Sequence, residues 1–206
     1  MTQPTRKPGR PRDEQLATRR QEEILAAAAT LFAEFGYRQA DVQLLADRLG
    51  VGKGTVYRYF ETKEKLFLAS VDAGIRGMVA QVNKVFESID HPVERLRQSI
   101  RAYLGYFDKH PELVELLIIE RAEFRNREKA TYFLYTDRLR DERREHLQQA
   151  MKDGYFREMP VERVSNVIGD CLYGVIFTNQ FATRKIPFDK QADDVIDIIL
   201  NGLVRK

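Results

Sequence analysis

The chain has 206 residues, 43% of them hydrophobic and 32% charged, a net charge of +3 and a single cysteine, Cys171. That length can bury a core for one large domain or two small ones without help from a disulfide or a metal. One cysteine excludes an internal disulfide framework and suits a reducing compartment, and no apolar run approaches the roughly 20 residues of a membrane-spanning helix. The basic start, Met1 to Lys7, lacks the apolar stretch of a secretory signal, so a cytoplasmic protein is expected.

The charge is unevenly placed. Residues 1–65 hold twelve Lys/Arg and nine Asp/Glu, whereas residues 66–206 hold 22 of each. The whole excess lies in the first third, which fits a polyanion partner at one end. A solvated basic tail without a partner fits the charge alone equally well.

Residues 2–12 contain Pro4, Pro8, Gly9 and Pro11 and almost nothing apolar, so they are expected to be disordered in isolation. Ile24, Leu25, Ala28, Leu31, Phe32 and Phe35 then recur at helical spacing, and Gly36 stops the helix. A second helix is expected over about 42–49, capped by Asp41 and stopped by Gly50. A third covers about 53–60, and Thr62 caps a fourth that continues to about Ser88. His91-Pro92 and His110-Pro111 open two more, with proline in the first turn. A long charged helix is expected over about 127–152, closed by Gly154. Pro160 opens an apolar one through Val164, Val167, Ile168, Cys171, Leu172, Val175 and Ile176. Beyond Pro187, Val195, Ile196, Ile199, Leu200, Leu203 and Val204 mark a last amphipathic helix. The fold class is all-α, about nine helices with no convincing strand.

The informative stretch is Val42 to Phe60, two short helices joined by a tight turn. Ala46 is small because the second helix crosses close above it, and Gly50 permits the turn. Leu45, Leu49, Val51 and Val56 are the contacts that fix the crossing. This is a helix-turn-helix pattern, whose second helix enters a major groove. The expected organisation is a basic arm over 1–17, a helix-turn-helix domain over 18–65 and a second helical domain over 66–206. Gly52-Lys53-Gly54-Thr55 is not a P-loop, because Asp47 stands where the first glycine is needed and Gly54 where Ser or Thr must follow the lysine.

The residues Arg20 to Ala28, Leu31 to Tyr37, Ala46 to Phe60 and Lys63 to Phe67 together resemble the TetR family of bacterial transcriptional repressors, over about residues 18–68. Beyond that only the helical pattern and the length match. The resemblance implies that Gly52, Lys53, Gly54 and Thr55 form the first turn of a recognition helix. Gly54 would let backbone approach DNA, while Thr55 and Lys53 would reach base edges or a phosphate. It implies phosphate contacts for Tyr57 and Tyr59, a base or phosphate contact for Arg58, and phosphate contacts at helix starts for Lys63 and Gln43. Tyr57 has a second reading as core packing, and Lys53 as a plain surface lysine. Many relatives carry Ser or Thr where Asp41 stands. A carboxylate caps equally well but repels DNA, so that contact is not carried over. Lys7 to Arg12 resembles a short minor-groove hook carried by Arg10 and Arg12; the other reading is a salt-sensitive basic tail.

The resemblance also implies a homodimer that binds a palindromic operator of double-stranded DNA and is released by a small-molecule effector, apolar or amphipathic. The C-terminal part then serves ligand binding and dimerisation. Dimer contacts are expected from Val164, Ile168, Cys171, Leu172, Val175, Ile196, Leu200 and Leu203, with Gly169 and Gly174 permitting close approach. A mainly apolar pocket is expected to draw on Tyr103, Phe107, Glu120, Phe124, Tyr132 and Phe177; ordinary packing explains each of these as well.

An enzyme is not expected. His91, His110 and His146 show no metal-ligand spacing, Cys171 has no neighbour to activate it and is expected to be buried, and no cofactor is implied. An activator or a ligand-independent regulator stays open, as does a helical adaptor without DNA binding.

Overall fold

The computed structural model describes residues 14–181 and 186–202, and those residues form nine helices. In order they are α1 (Glu14–Gln39), α2 (Val42–Arg48), α3 (Lys53–Phe60), α4 (Lys63–Glu87), α5 (Pro92–Lys109), α6 (Pro111–Glu123), α7 (Thr131–Lys152), α8 (Val161–Phe181) and α9 (Phe188–Asn201). No strand occurs among the described residues. Arg10, Arg12, Leu203 and Val204 lie outside them.

Local chemistry sets most of the boundaries. Asp41 caps α2 by accepting from the Gln43 N–H at 2.8 Å, and Thr62 caps α4 by accepting from the Lys65 N–H at 3.1 Å. Pro92 and Pro111 stand in the first turns of α5 and α6. Gly36 takes a positive φ of 71° and breaks α1, which resumes only as a short turn to Gln39. α1 begins at Glu14, so the end of the proposed arm is already helical.

One boundary differs from expectation for a tertiary reason. α7 starts at Thr131 and not near Arg127. The buried Glu120 carboxylate of α6 accepts from the Thr131 N–H at 3.1 Å and from Thr131 Oγ1 at 2.7 Å, and Arg127 turns back to pair with it. A carboxylate at a helix N-terminus satisfies orphan N–H groups and complements the dipole. Glu120 is therefore a cap for α7, which corrects its expected place in a ligand pocket.

α1, α2 and α3 close around Ile24, Ala28, Leu31, Phe32, Leu45, Ala46, Val56 and Phe60, all buried. Gly50 has φ 63°, and the turn closes with the Val51 N–H donating to the Ala46 carbonyl at 3.0 Å. α4 is the axis of the molecule, packing against α1, α5, α6 and α7. Its 25 residues make a rod about 37 Å long. Gly77 lets it approach α5: a Cβ there would collide with Tyr106 Oη. α8 lies on α5, α6 and α7, and α9 on α5.

The three-helix unit is joined to the rest through aromatic rings. Phe67 of α4 meets Phe32 at 5.1 Å and Tyr37 at 5.4 Å, both edge-on, and stacks on Phe124 at 5.3 Å. Tyr37 meets Phe124 at 5.0 Å, and the Arg38–Glu123 ion pair lies beside them at 3.0 Å. Phe124 belongs to this junction and not to the expected pocket. Phe67→Ala should lower unfolding free energy by about 3–5 kcal/mol, the cost of emptying a fully buried aromatic site, read as a fall in the urea midpoint.

Candidate nucleic-acid interface and internal cavity

The sequence of α3 separates its faces. Val56 and Phe60, four apart, are buried, while Gly54 and Arg58, also four apart, are exposed. Lys53, Thr55, Tyr57 and Tyr59 are half-buried between them, and both tyrosines pack on the core edge. Gly52 is the extended N-cap, whose carbonyl accepts from the Thr55 N–H at 2.8 Å. Arg58 sits 5.6 Å over the Tyr59 ring. The first turn of α3 and its exposed edge thus stand open beside the N-terminus of α2.

Asp41 organises that corner. Its carboxylate lies 3.6 Å from Lys53 Nζ. The Gln43 N–H first, and Lys53 after it, hold the carboxyl below its ordinary value. The Gln43 side chain donates to Asp47 at 2.8 Å. Lys63 is partly withdrawn: its ammonium donates to the Arg38 carbonyl at 3.1 Å and lies 5.2 Å over the Tyr37 ring. Burial pushes the Lys63 pKa down, against the pull of Asp41.

A cavity of about 230 Å³ lies between α4, α5, α7 and α8. Val82 and Phe86 come from α4, Arg95, Leu96, Ser99, Ile100 and Tyr103 from α5, Arg143, His146 and Leu147 from α7, and Ser165, Ile168 and Leu172 from α8. Of the residues expected in a pocket, only Tyr103 lines it. Phe107 is fully buried behind Tyr103 at 5.2 Å, and Tyr132 donates or accepts a 2.9 Å bond with the Tyr103 hydroxyl. Phe177 continues an aromatic row through Tyr173 at 4.7 Å, and Tyr173 meets Tyr132 at 4.8 Å. Nothing in the sequence marks Arg95, Arg143 or His146 as cavity residues. Arg143 sits in a run of charges from Asp137 to Glu145 that reads as a solvated helix face, and only the packing of α7 on α4 separates it from its neighbours.

The expected dimer residues divide. Ile196 is 1% exposed on α9, which packs on α5, so it belongs to the subunit core. Ile168 and Leu172 turn toward the cavity. Val164, Val175 and Leu200 are half-buried. Cys171 is exposed and not buried packing. Val167 of the same helix, at 61% exposure, and Ile198 of α9, at 48%, stand open to solvent as well. The stripe 164, 167, 171, 174, 178 at helical spacing marks this face in the sequence. A wider groove of about 420 Å³ beside it is lined by Asp170, Cys171, Gly174, Val175, Asp194 and Val195 among others. It lies on this outer face, with two carboxylates in its wall.

An exposed helix-turn-helix pair carried by a helical body is the arrangement of a DNA-binding regulator. Residues 24–70 match the family model described as bacterial regulatory proteins, tetR family. The HTH-type transcriptional repressor KstR2 of Mycobacterium tuberculosis is 30% identical over 159 residues, covering 73% of this chain and 76% of that one. The TetR family transcriptional regulator PfmR of Thermus thermophilus shares the fold with a TM-score of 0.69 and 29% identity, over 88% of this chain and 99% of that one. FadR of Bacillus subtilis, solved in complex with stearoyl-CoA, has a TM-score of 0.72 at 19% identity, over 89% and 99% of the two chains. The chain belongs to the TetR family and is a helix-turn-helix transcriptional regulator.

The paired tyrosines beside the cavity generate a pH signature. Burial raises the Tyr132 pKa from 10.0 to about 12 and pushes Tyr103 up as well. The unfolded chain loses these protons first, so the stability from the pair is complete below pH 10 and lost as pH rises toward 12. Tyr132→Phe should flatten that alkaline loss by on the order of 2 kcal/mol, measured by urea unfolding across the range.

Proposed function

We propose that the protein is a ligand-responsive repressor that binds a palindromic operator as a homodimer and is released by a small apolar or amphipathic effector in the cavity. The observation that carries this reading is the course of α4. Its first turns, with Lys63 and Phe67, belong to the helix-turn-helix unit, and its later turns, with Val82 and Phe86, wall the cavity. An occupant that favours one position of α4 favours one position of α3. DNA affinity then changes by the ratio of ligand affinities for the two arrangements. The stearoyl-CoA held by the Bacillus subtilis regulator supports an acyl or other amphipathic compound as the effector class.

In this reading α3 enters the major groove. Lys53, Thr55 and Arg58 reach base edges or phosphates, Tyr57 and Tyr59 bond phosphates, and Gly54 brings main chain close to DNA. Gln43 and Lys63 contribute from the starts of α2 and α4. For Lys63 the main-chain N–H is the donor, because its ammonium is engaged by Arg38 and Tyr37. A role on operator DNA calls for a cytoplasmic protein. No described helix is long and apolar enough to cross a membrane. The relatives' role as regulators supports a non-enzymatic protein.

Gly54 separates folding from DNA contact. A Cβ there meets nothing within 4 Å in the free protein. Gly54→Ala should therefore keep or slightly raise thermal stability, since alanine is the better helix former by about 1 kcal/mol, while DNA binding falls at least about tenfold. Lys53→Ala should weaken binding and reduce the slope of log affinity against log salt by about one per subunit. Fluorescence anisotropy with DNA from the flanking gene region reads both. Unchanged binding by both variants excludes α3 as the recognition helix.

The α8–α9 face, with Val167, Cys171 and Ile198 exposed, is the proposed interface between subunits. Val167→Glu should shift the protein to monomer in sedimentation and weaken operator binding together, while far-UV dichroism stays helical. A monomeric wild type contradicts the interface.

A further inference from the structure

Two residues that line the cavity carry polar atoms without partners. Ser99 Oγ and Arg143 Nη1 are both closed off from solvent, and neither has a hydrogen bond. Both residues line the cavity between α4, α5, α7 and α8. Buried polar atoms are almost always bonded, so two of them on residues lining one cavity point to an occupant toward which these side chains turn.

The charge of that occupant follows from the wall. Arg143 donates through Nη2 to Asn83 Oδ1, and its guanidinium lies 3.5 Å over the Phe86 ring. No carboxylate pairs with it among the described residues; Glu87 and Glu142 act on it through their fields alone, and burial pushes its pKa down. Arg95, on the same wall, donates to the Ile89 carbonyl at 2.6 Å and contacts His146 at 3.3 Å. No Asp or Glu lines the cavity. Two guanidinium groups with no acidic lining residue, in an otherwise largely apolar chamber, complement an anion that carries an apolar body.

Size narrows the class. Scaled from an apolar cavity of roughly 150 Å³ that binds benzene, the 230 Å³ cavity seats a chain of roughly nine non-hydrogen atoms. That suits an acid of the size of hexanoate or octanoate. The acyl end of a thioester would bring only an uncharged carbonyl to Arg143. Resting on the effector reading above, we propose that the cavity takes an ionised medium-chain carboxylic acid. One carboxylate oxygen accepts from Arg143 Nη1 and the other from Ser99 Oγ, and the chain lies on Val82, Leu96, Ile100 and Leu172.

Calorimetric titration of the full chain with octanoate, octanamide, methyl octanoate and octanoyl-CoA tests this. Octanoate should bind about tenfold to a hundredfold more tightly than octanamide or the ester, the weight of a hydrogen bond to a charged group. Arg143→Met should abolish that preference, lowering octanoate affinity far more than octanamide affinity. Ser99→Ala, which removes one hydroxyl and little volume, should reduce it in the same direction. Equal affinity for octanoate and octanamide, a preference that survives Arg143→Met and Ser99→Ala, or binding by octanoyl-CoA but not by octanoate overturns the proposal. DNA release is scored separately by anisotropy. Octanoate that binds with the expected preference yet leaves DNA bound upholds the carboxylate seat and removes the effector reading. Release by octanamide as effective as release by octanoate does the reverse.

Discussion

The structure depends on one aromatic joint. Phe32 and Tyr37 of α1, Phe67 of α4 and Phe124 at the end of α6 meet with centroid separations between 5.0 and 6.1 Å. Edge-on and stacked pairs at these distances add to the burial of large apolar surface. They also fix direction, because a ring held on two faces cannot slide without losing one of them. The joint therefore carries the helix-turn-helix unit on α4 as a rigid attachment. The Arg38–Glu123 pair at its edge is exposed on the arginine side and contributes little beyond register.

Given that joint, the rest of α4 becomes mechanically informative. Its distal turns form a cavity wall whose other sides come from α5, α7 and α8. The wall is packed on α5 through Gly77 and tied to α7 through the Arg143–Asn83 bond. In the proposed reading, a filled and an empty chamber present different surfaces to Val82 and Phe86, and α4 passes the difference along its length. Close packing favours discrete alternatives over gradual bending in such a body.

The local parts of this arrangement were legible in the sequence and the non-local parts were not. Asp41, Gly50 and Thr62 announce their caps and turn because each acts on backbone within three residues. Ala46 and Val56 announce the helix crossing because a short turn leaves them no other partner. Phe124 and Glu120 looked like pocket residues because an aromatic and an acid near the middle of a helical chain carry no mark of direction. Their roles depend on where α1 and α7 arrive from far along the chain. Ile196 shows the same limit on α9, where two apolar faces exist and only packing on α5 decides which is inside. Arg143 could not be told from its charged neighbours until α7 was laid on α4.

The joint is tested most directly by measuring how firmly it holds. Nitroxide labels on Gln21→Cys, exposed on α1, in a Cys171→Ser background report the distance between the two DNA-binding units of a dimer by pulsed electron resonance. With the joint intact the distance distribution should be narrow. Phe124→Ala should broaden it and weaken DNA binding while the dimer persists. A distribution left unchanged by Phe124→Ala would contradict the account, because the helix-turn-helix unit would then be held by something other than these rings.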